Sequence, residues 1–196
     1  PEHTGVGQKI ADLSAEDTDN AFGELHTFSF SNGNDTSGPF FIDGNTITMA
    51  EKVNYEVKSS YFIALKVSDK EANTFVQQFT ITISDENDVP TAVALSGNTF
   101  DENLPVGTEV GEFTTTDEDA GETFTYALKA GAGGGSNALF CIEDNGLKTA
   151  QVFDVEQTGS LSVRVADTDG DGAVIEKAFT LTVNNTNDAP TGLLLS

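Results

Sequence analysis

Asp85-Glu86-Asn87-Asp88-Val89-Pro90-Thr91 returns one hundred residues later as Asn185-Thr186-Asn187-Asp188-Ala189-Pro190-Thr191. A fixed internal period governs the reading of a whole chain, because each repeat must then be one structural unit. Working outward from this pair, Asp17-Thr18-Asp19 recurs as Asp117-Glu118-Asp119, and Phe40-Phe41-Ile42 as Phe140-Cys141-Ile142. Asn54-Tyr55-Glu56 becomes Asp154-Val155-Glu156, and Glu2 falls opposite Glu102. The period assigns residues 1–90 to a first repeat with its linker and 91–190 to a second. Residues 191–196, Thr-Gly-Leu-Leu-Leu-Ser, match Thr-Ala-Val-Ala-Leu-Ser at 91–96 and read as the start of a third. The expectation is a piece excised at both ends from a longer array.

Within each repeat the strongest segments alternate with period two. They are Phe28-Ser-Phe30, Tyr61-Phe-Ile-Ala-Leu-Lys-Val67 and Phe79-Thr-Ile-Thr-Ile83, then Phe124-Thr-Tyr126, Leu161-Ser-Val-Arg-Val165 and Phe179-Thr-Leu-Thr-Val183. Alternation of this kind marks strands with one buried face. Runs of Gly, Asn, Asp and Ser separate them, as in Gly131-Ala-Gly-Gly-Gly-Ser-Asn137, and no stretch sustains a helical period. About seven short strands in roughly 100 residues predict an all-β chain of two tandem immunoglobulin-like Greek-key β-sandwiches.

Nine Lys and Arg face 32 Asp and Glu, a net charge of -23. That sign excludes nucleic acid and anionic membrane surfaces as partners and makes a cation the natural one. Fourteen Phe, with many Val, Ile and Leu, set the chain apart from a disordered acidic tail. No apolar run approaches the eighteen or so residues of a membrane span. Cys141 is the single cysteine, so neither an intrachain disulfide nor a thiolate cluster is available, and its setting between Phe140 and Ile142 reads as a buried small hydrophobe.

The recurrent acids fall at strand ends and in the linker as D-x-D, D-x-E and D-x-N-D-x-P. There alternate residues of an extended backbone converge on one ion while intervening carbonyls turn inward. Calcium takes six to eight hard oxygen ligands in flexible geometry, which suits this set better than the tighter, wetter shell of magnesium. Glu109, Glu112, Glu122 and Glu176 read as ordinary surface acids. Asp167-Thr-Asp169-Gly-Asp171-Gly172 has the first spacings of an EF-hand loop, but Ala178 stands where a bidentate Glu is required and strands flank the segment. It reads as a polar hairpin turn.

Glu102-Asn103, Asp117-x-Asp119, Phe153-Asp154-x-Glu156, Val165-Ala166-Asp167 and the D-x-N-D-x-P linker together resemble the cadherin repeats, particularly the cadherin-like tandem repeats of large bacterial surface and secreted proteins. The resemblance covers both repeats and implies three calcium ions at the junction between them. It assigns as ligands Glu2, Asn54 and Glu56 from repeat 1, Asp85, the Glu86 carbonyl, Asn87, Asp88 and the Val89 carbonyl from the linker, and Asp117, Asp119 and Asp167 from repeat 2. Seven carboxylates in that set against three divalent ions leave the filled junction nearly neutral. Empty, each carboxylate pair near 4 Å would repel by about 4 kcal/mol at an effective dielectric of 20, before salt screening.

Asn54 stands where the family has Asp, so the innermost ion is expected to be the weakest or missing. Asn185 likewise replaces the first Asp of the second linker. Asp17, Asp19 and Asp69 form one terminal half-site, and Glu102, Asp154, Glu156, Asn187 and Asp188 another that could hold an ion by itself.

Neither His3 nor His26 sits in a nucleophile motif, and Gly133-Gly-Gly135 lacks the Gly-Lys-Ser/Thr ending of a phosphate loop, so an enzyme is not expected. The reading is an extracellular, calcium-stiffened adhesion or spacer repeat whose partner is a cell-surface protein, with homophilic contact open, or a polysaccharide. The alternative is a calcium-dependent carbohydrate-binding module of a secreted polysaccharide-degrading system. Trp, which anchors strand exchange in vertebrate cadherins, is absent.

Overall fold

The computed structural model describes residues 1–17, 25–32, 36–189 and 192. It divides into two compact units, Pro1–Glu86 and Asn87–Ser196. Asp19, and residues 191 and 193–196 of the expected third repeat, lie outside the described residues.

Unit 1 contains β1 (Lys9–Asp12), β2 (Thr27–Phe30), β3 (Thr36–Ser37), β4 (Phe40–Asp43), β5 (Thr46–Met49), β6 (Ser60–Ser68) and β7 (Thr74–Thr82). They form two sheets in the orders β1-β5-β4-β3 and β2-β6-β7. Unit 2 contains β8 (Ala92–Leu95), β9 (Thr99–Asp101), β10 (Glu109–Thr116), β11 (Thr125–Leu128), β12 (Phe140–Glu143), β13 (Gly146–Thr149), β14 (Leu161–Thr168) and β15 (Val174–Asn184). Its sheets run β12-β13-β10-β8 and β11-β14-β15-β9. All ladders are antiparallel except β9 on β15, which is parallel. Each unit is thus the expected all-β sandwich.

The period-two pattern explains the cores. Leu161, Val163 and Val165 alternate inward from β14 and are fully or nearly fully buried. They meet Phe113, Phe140, Leu147 and Phe153 from the facing elements. Phe100, Phe140 and Phe153 form an aromatic cluster with ring centroids 5.0 to 6.0 Å apart. Burying each such side chain contributes about 1.5 to 3 kcal/mol. In unit 1 the counterpart core is built from Phe30, Phe40, Ile42, Ile47, Met49, Ile63 and Leu65. Cys141 is half-buried, not fully inside as its neighbours suggested, and it lies on β12, the outermost strand of its sheet.

The two units differ at one edge. Pro1 and Glu2 correspond to Asp101 and Glu102, so β8 and β9 of unit 2 match no described residues of unit 1. Among the described residues β7 therefore pairs with β6 alone. Its Phe79, expected on a buried face, is 44% exposed, although Ile83 just beyond the strand is buried as expected.

Gly97 and Gly111 show what β8 demands of its neighbour. A Cβ at Gly111 would lie 2.6 Å from the Gly97 nitrogen and 2.7 Å from its carbonyl oxygen. Both approaches are backbone contacts that no side-chain rotation relieves. The unit 1 counterpart of Gly111 is Ala11, beside which no such crossing chain lies among the described residues. Gly111→Ala is expected to destabilise unit 2 by about 1 to 3 kcal/mol, whereas Ala11→Gly should shift stability by less than about 1 kcal/mol. Urea unfolding of the two variants checks the contrast.

Candidate metal centre

Glu2 and Glu102 are both 2% exposed. A carboxylate taken from water must find strong partners, and these two find the same ones one period apart. Glu2 accepts the backbone N–H of Tyr55 at 2.7 Å and of Glu86 at 2.9 Å, one on each oxygen. Glu102 accepts those of Val155 and Thr186, each at 2.7 Å. Each carboxylate ties the start of its unit to an inter-strand turn and to the outgoing chain. Burial pushes the Glu2 carboxyl up, but the N–H groups of Tyr55 and Glu86, with Glu56 and His3, outweigh it and hold the pKa below the ordinary value.

Around each anchored glutamate two further acids converge. Oxygens of Glu2, Glu56 and Asp85 lie within 4.8 Å of one another in unit 1, as do those of Glu102, Glu156 and Asp188 in unit 2. Partial desolvation, together with the charges of Glu2 and Asp85, pushes the Glu56 carboxyl above its ordinary value. Three like charges held by backbone geometry at this separation repel one another, and a divalent cation relieves that repulsion. Asn185 donates to Glu156 at 2.7 Å and Asn103 to Asp188 at 2.8 Å, so amide groups partly neutralise the unit 2 triad.

The opposite end of unit 2 is marked differently. Among the described residues, the buried side-chain oxygens without a hydrogen-bond partner are Asn87 Oδ1, Asp117 Oδ2 and Asp167 Oδ1. Asp167 is fully buried on β14. Its other oxygen accepts from Thr115 Oγ1 at 2.5 Å, and Thr115 is 2.9 Å from the Tyr126 hydroxyl. Since the single Thr115 proton goes to Asp167, Tyr126 donates to Thr115, giving a relay that ends on the carboxylate. Desolvation, against the Thr115 hydrogen bond and with the Asp117 and Asp169 charges, raises the Asp167 pKa.

The Asn87 amide donates to the Asp88 carbonyl at 2.9 Å and to Asp169 at 3.2 Å, which fixes its Oδ1 as an open acceptor. Asp119 accepts the Asp88 N–H at 2.7 Å, and its own N–H reaches Asp117 Oδ1 at 3.2 Å. Orphaned oxygens of this kind are rare in folded proteins and call for an ion. The donor set is oxygen only, with Asn, Asp and backbone carbonyls adjoining, and fits a hard divalent cation.

Several expected ligands have other tasks. Asp69 corresponds to the turn residue Asp169: it accepts the N–H groups of Glu71 and Asn73, both at 2.8 Å. The true counterpart of Asp167 is Val67. Asp169 Oδ1 accepts from Asp171, Gly172 and Ala173 and caps the hairpin, which settles the EF-hand-like stretch as a turn. Asn54 Oδ1 accepts from Val57 N–H at 2.7 Å, and Asp154 likewise holds the N–H of Glu156 at 3.0 Å and the Gln157 amide at 2.6 Å. Asn187 donates to the Asp188 carbonyl at 3.3 Å. The Glu86 backbone N–H donates to Glu2, and the Val89 side chain is exposed. His3 pairs with Glu86 and His26 with Asp17.

Thr115 and Tyr126 were not anticipated. Their signal lay in the comparison of repeats: sheet register places Phe28 opposite Val67 as it places Tyr126 opposite Asp167. Ala15, Phe28 and Val67 thus replace Thr115, Tyr126 and Asp167, and all three changes remove a polar group.

No protein-family model matches the chain. Human protocadherin Fat 4 is 31% identical over 176 residues, 85% of this chain and 4% of that protein. Human cadherin-23 is 29% identical over 178 residues, 86% of this chain and 5% of that protein. The chain therefore spans only a small fraction of the relatives it matches. Among solved structures, human protocadherin-24 EC1-2 covers 95% of this chain and 93% of its own, with TM-score 0.72 and 21% identity. The protocadherin GammaB4 extracellular domain covers 96% of this chain and 31% of its own, with TM-score 0.68 and 27% identity. These relatives carry the repeat type; the named ones are animal proteins and do not speak to a bacterial setting. The chain is similar in sequence to cadherin-type proteins and shares the fold of solved protocadherin extracellular domains.

Proposed function

We propose that residues 1–90 and 91–190 are tandem repeats of an extracellular adhesion or spacer protein, stiffened by calcium at the linker that joins them. The observation that supports it most is the trio of buried, unpartnered oxygens on Asn87, Asp117 and Asp167. Asp85 belongs to the convergent acids of unit 1 and Asp88 is bonded to Asp119 of unit 2, and the two are three residues apart in sequence. Calcium would be held by Glu2, Glu56 and Asp85 with the Glu86 carbonyl on one side. Asn87, Asp88, Asp117, Asp119 and Asp167 with the Val89 carbonyl would hold it on the other. Asn54 is a weak contributor, since its carbonyl oxygen already caps a turn. Glu102, Asp154, Glu156 and Asp188 form a secondary candidate whose charge is tempered by the nearby amides.

A stiff spacer agrees with the adhesion proteins among the relatives better than a sugar-binding module does. Tyr61 packs edge-on against Phe40 at 5.3 Å and Tyr126 is engaged in the Asp167 relay, so two of the three tyrosines a stacking platform would use are committed inward.

Isothermal titration should show calcium binding that Asp119→Ala or Asp167→Asn reduces in stoichiometry; unchanged stoichiometry in both variants would overturn the assignment. Thr115→Val, which removes the hydrogen bond that orients Asp167 and leaves every proposed ligand unsubstituted, should weaken the affinity by about 10- to 100-fold while leaving the circular dichroism spectrum intact. Small-angle scattering should give a longer maximum dimension with calcium than with chelator, and equal dimensions would sink the stiffening.

The pH dependence has a defined sign. A raised Asp167 pKa means that its carboxylate takes up a proton at a higher pH than an ordinary Asp, and calcium must displace that proton. Calcium affinity should begin to fall at a higher pH than an ordinary aspartate would give as pH is lowered. Titrations across that range read the onset, and Asp167→Asn should move it down.

A further inference from the structure

The Asn87 side chain is fixed by what surrounds its nitrogen. Two groups face that end, the Asp88 carbonyl at 2.9 Å and Asp169 Oδ2 at 3.2 Å, and both are acceptors. Only the NH2 end of an amide is compatible with them. Asn87 Oδ1 is thereby turned the other way, where it is buried and unpartnered.

The two holds differ in origin. The first is local to the linker, since Asn187 donates to the Asp188 carbonyl in the same manner at 3.3 Å. The second reaches the linker from the hairpin between β14 and β15. Asp169 is 5% exposed there. Its Oδ1 accepts the N–H groups of Asp171, Gly172 and Ala173 at 2.6 to 3.1 Å, which sets the carboxylate plane and directs Oδ2 to Asn87.

Unit 1 shows that the turn alone does not dictate this. Asp69 caps the equivalent hairpin through the N–H groups of Glu71 and Asn73, but its Oδ2 accepts the Asn73 side-chain amide at 2.8 Å. The residue in the place of Asn73 is Ala173: Asp69 N–H donates to the Asn73 carbonyl and Asp169 N–H to that of Ala173, each at 3.1 Å. Ala173 has no amide to offer. The oxygen that unit 1 uses within its own hairpin is left in unit 2 for the linker.

We infer, on the calcium site proposed above, that Asp169 is a positioning residue for the ion: it is not itself a ligand, and by holding the Asn87 NH2 group it presents Asn87 Oδ1 as one. A carbonyl oxygen ligates a hard cation and an NH2 group does not, so the orientation of this amide decides whether Asn87 contributes.

The test uses the full chain. Asp169→Asn keeps an oxygen for the three hairpin N–H groups and sets a second NH2 against that of Asn87, whose amide must then turn over. Isothermal titration should show calcium affinity lowered by about 10- to 100-fold. Adding Asn87→Asp to this variant restores the parent's net charge and the donor-to-acceptor match, with one carboxylate oxygen accepting from the introduced amide and the other facing the ion. The double variant should return to within a few-fold of the parent. Since it carries the same change at position 169, its recovery separates positioning of Asn87 from damage to the hairpin. Ala173→Asn installs the unit 1 arrangement without changing charge or any ligand, and should weaken calcium binding several-fold. In the calcium-free chain, the Asn87 side-chain NH2 resonances should be displaced by Asp169→Asn and by Ala173→Asn.

Asn87 resonances unmoved in both variants overturn the inference, as does a double variant as weak as Asp169→Asn. A parent that binds calcium while Asp169→Asn binds it equally tightly overturns the inference and leaves the calcium site standing. A parent that binds no calcium overturns the site and the inference together.

Discussion

A carboxylate forced out of water by the fold is the constraint on which each of these domains turns. Glu2 and Glu102 satisfy it with paired backbone N–H groups, and in doing so they fasten the first residues of a unit to its inter-strand turn and to its outgoing chain. Asp167 satisfies it only in part: one oxygen is met by Thr115 and the other by no group among the described residues. In the first arrangement the backbone meets both carboxylate oxygens; in the second a buried oxygen is left open among the described residues, and that difference sets the two kinds of buried acid apart.

The contrast between the repeats shows that Asp167 and its relay behave as one object. Where Asp167 gives way to Val67, Thr115 gives way to Ala15 and Tyr126 to Phe28. The physical reason is that a hydroxyl relay ending on an apolar side chain would bury unsatisfied donors, which costs about 1 to 3 kcal/mol for each. Position by position these are three ordinary substitutions. Together they convert a polar end into an apolar one.

The fold was legible because alternation and a one-hundred-residue period are both local in the sequence, and Leu161, Val163 and Val165 point where that alternation requires. The carboxylates were legible as a group, since repetition at strand ends picks them out. Their individual duties were not. Asp69 and Asp167 look alike in sequence, and only the register of β6 on β7 and β14 on β15 shows that Asp69 is a turn residue and that Val67 holds the other place. Phe79 departs from its pattern for a related reason: among the described residues β7 pairs with β6 alone, and an intrinsic pattern does not reveal which neighbours a strand has.

The parallel pairing of β9 with β15 has a mechanical consequence. β9 belongs to the start of unit 2 and β15 to its end, so tension along the polypeptide draws the two strands past each other and loads the bonds from Thr99 to Asp101 simultaneously. Bonds loaded in this way must rupture together, whereas an edge peeled from one end gives way bond by bond. Unit 2 is built to bear a pull along its length, and Glu102, directly after β9, reinforces the same joint through Thr186.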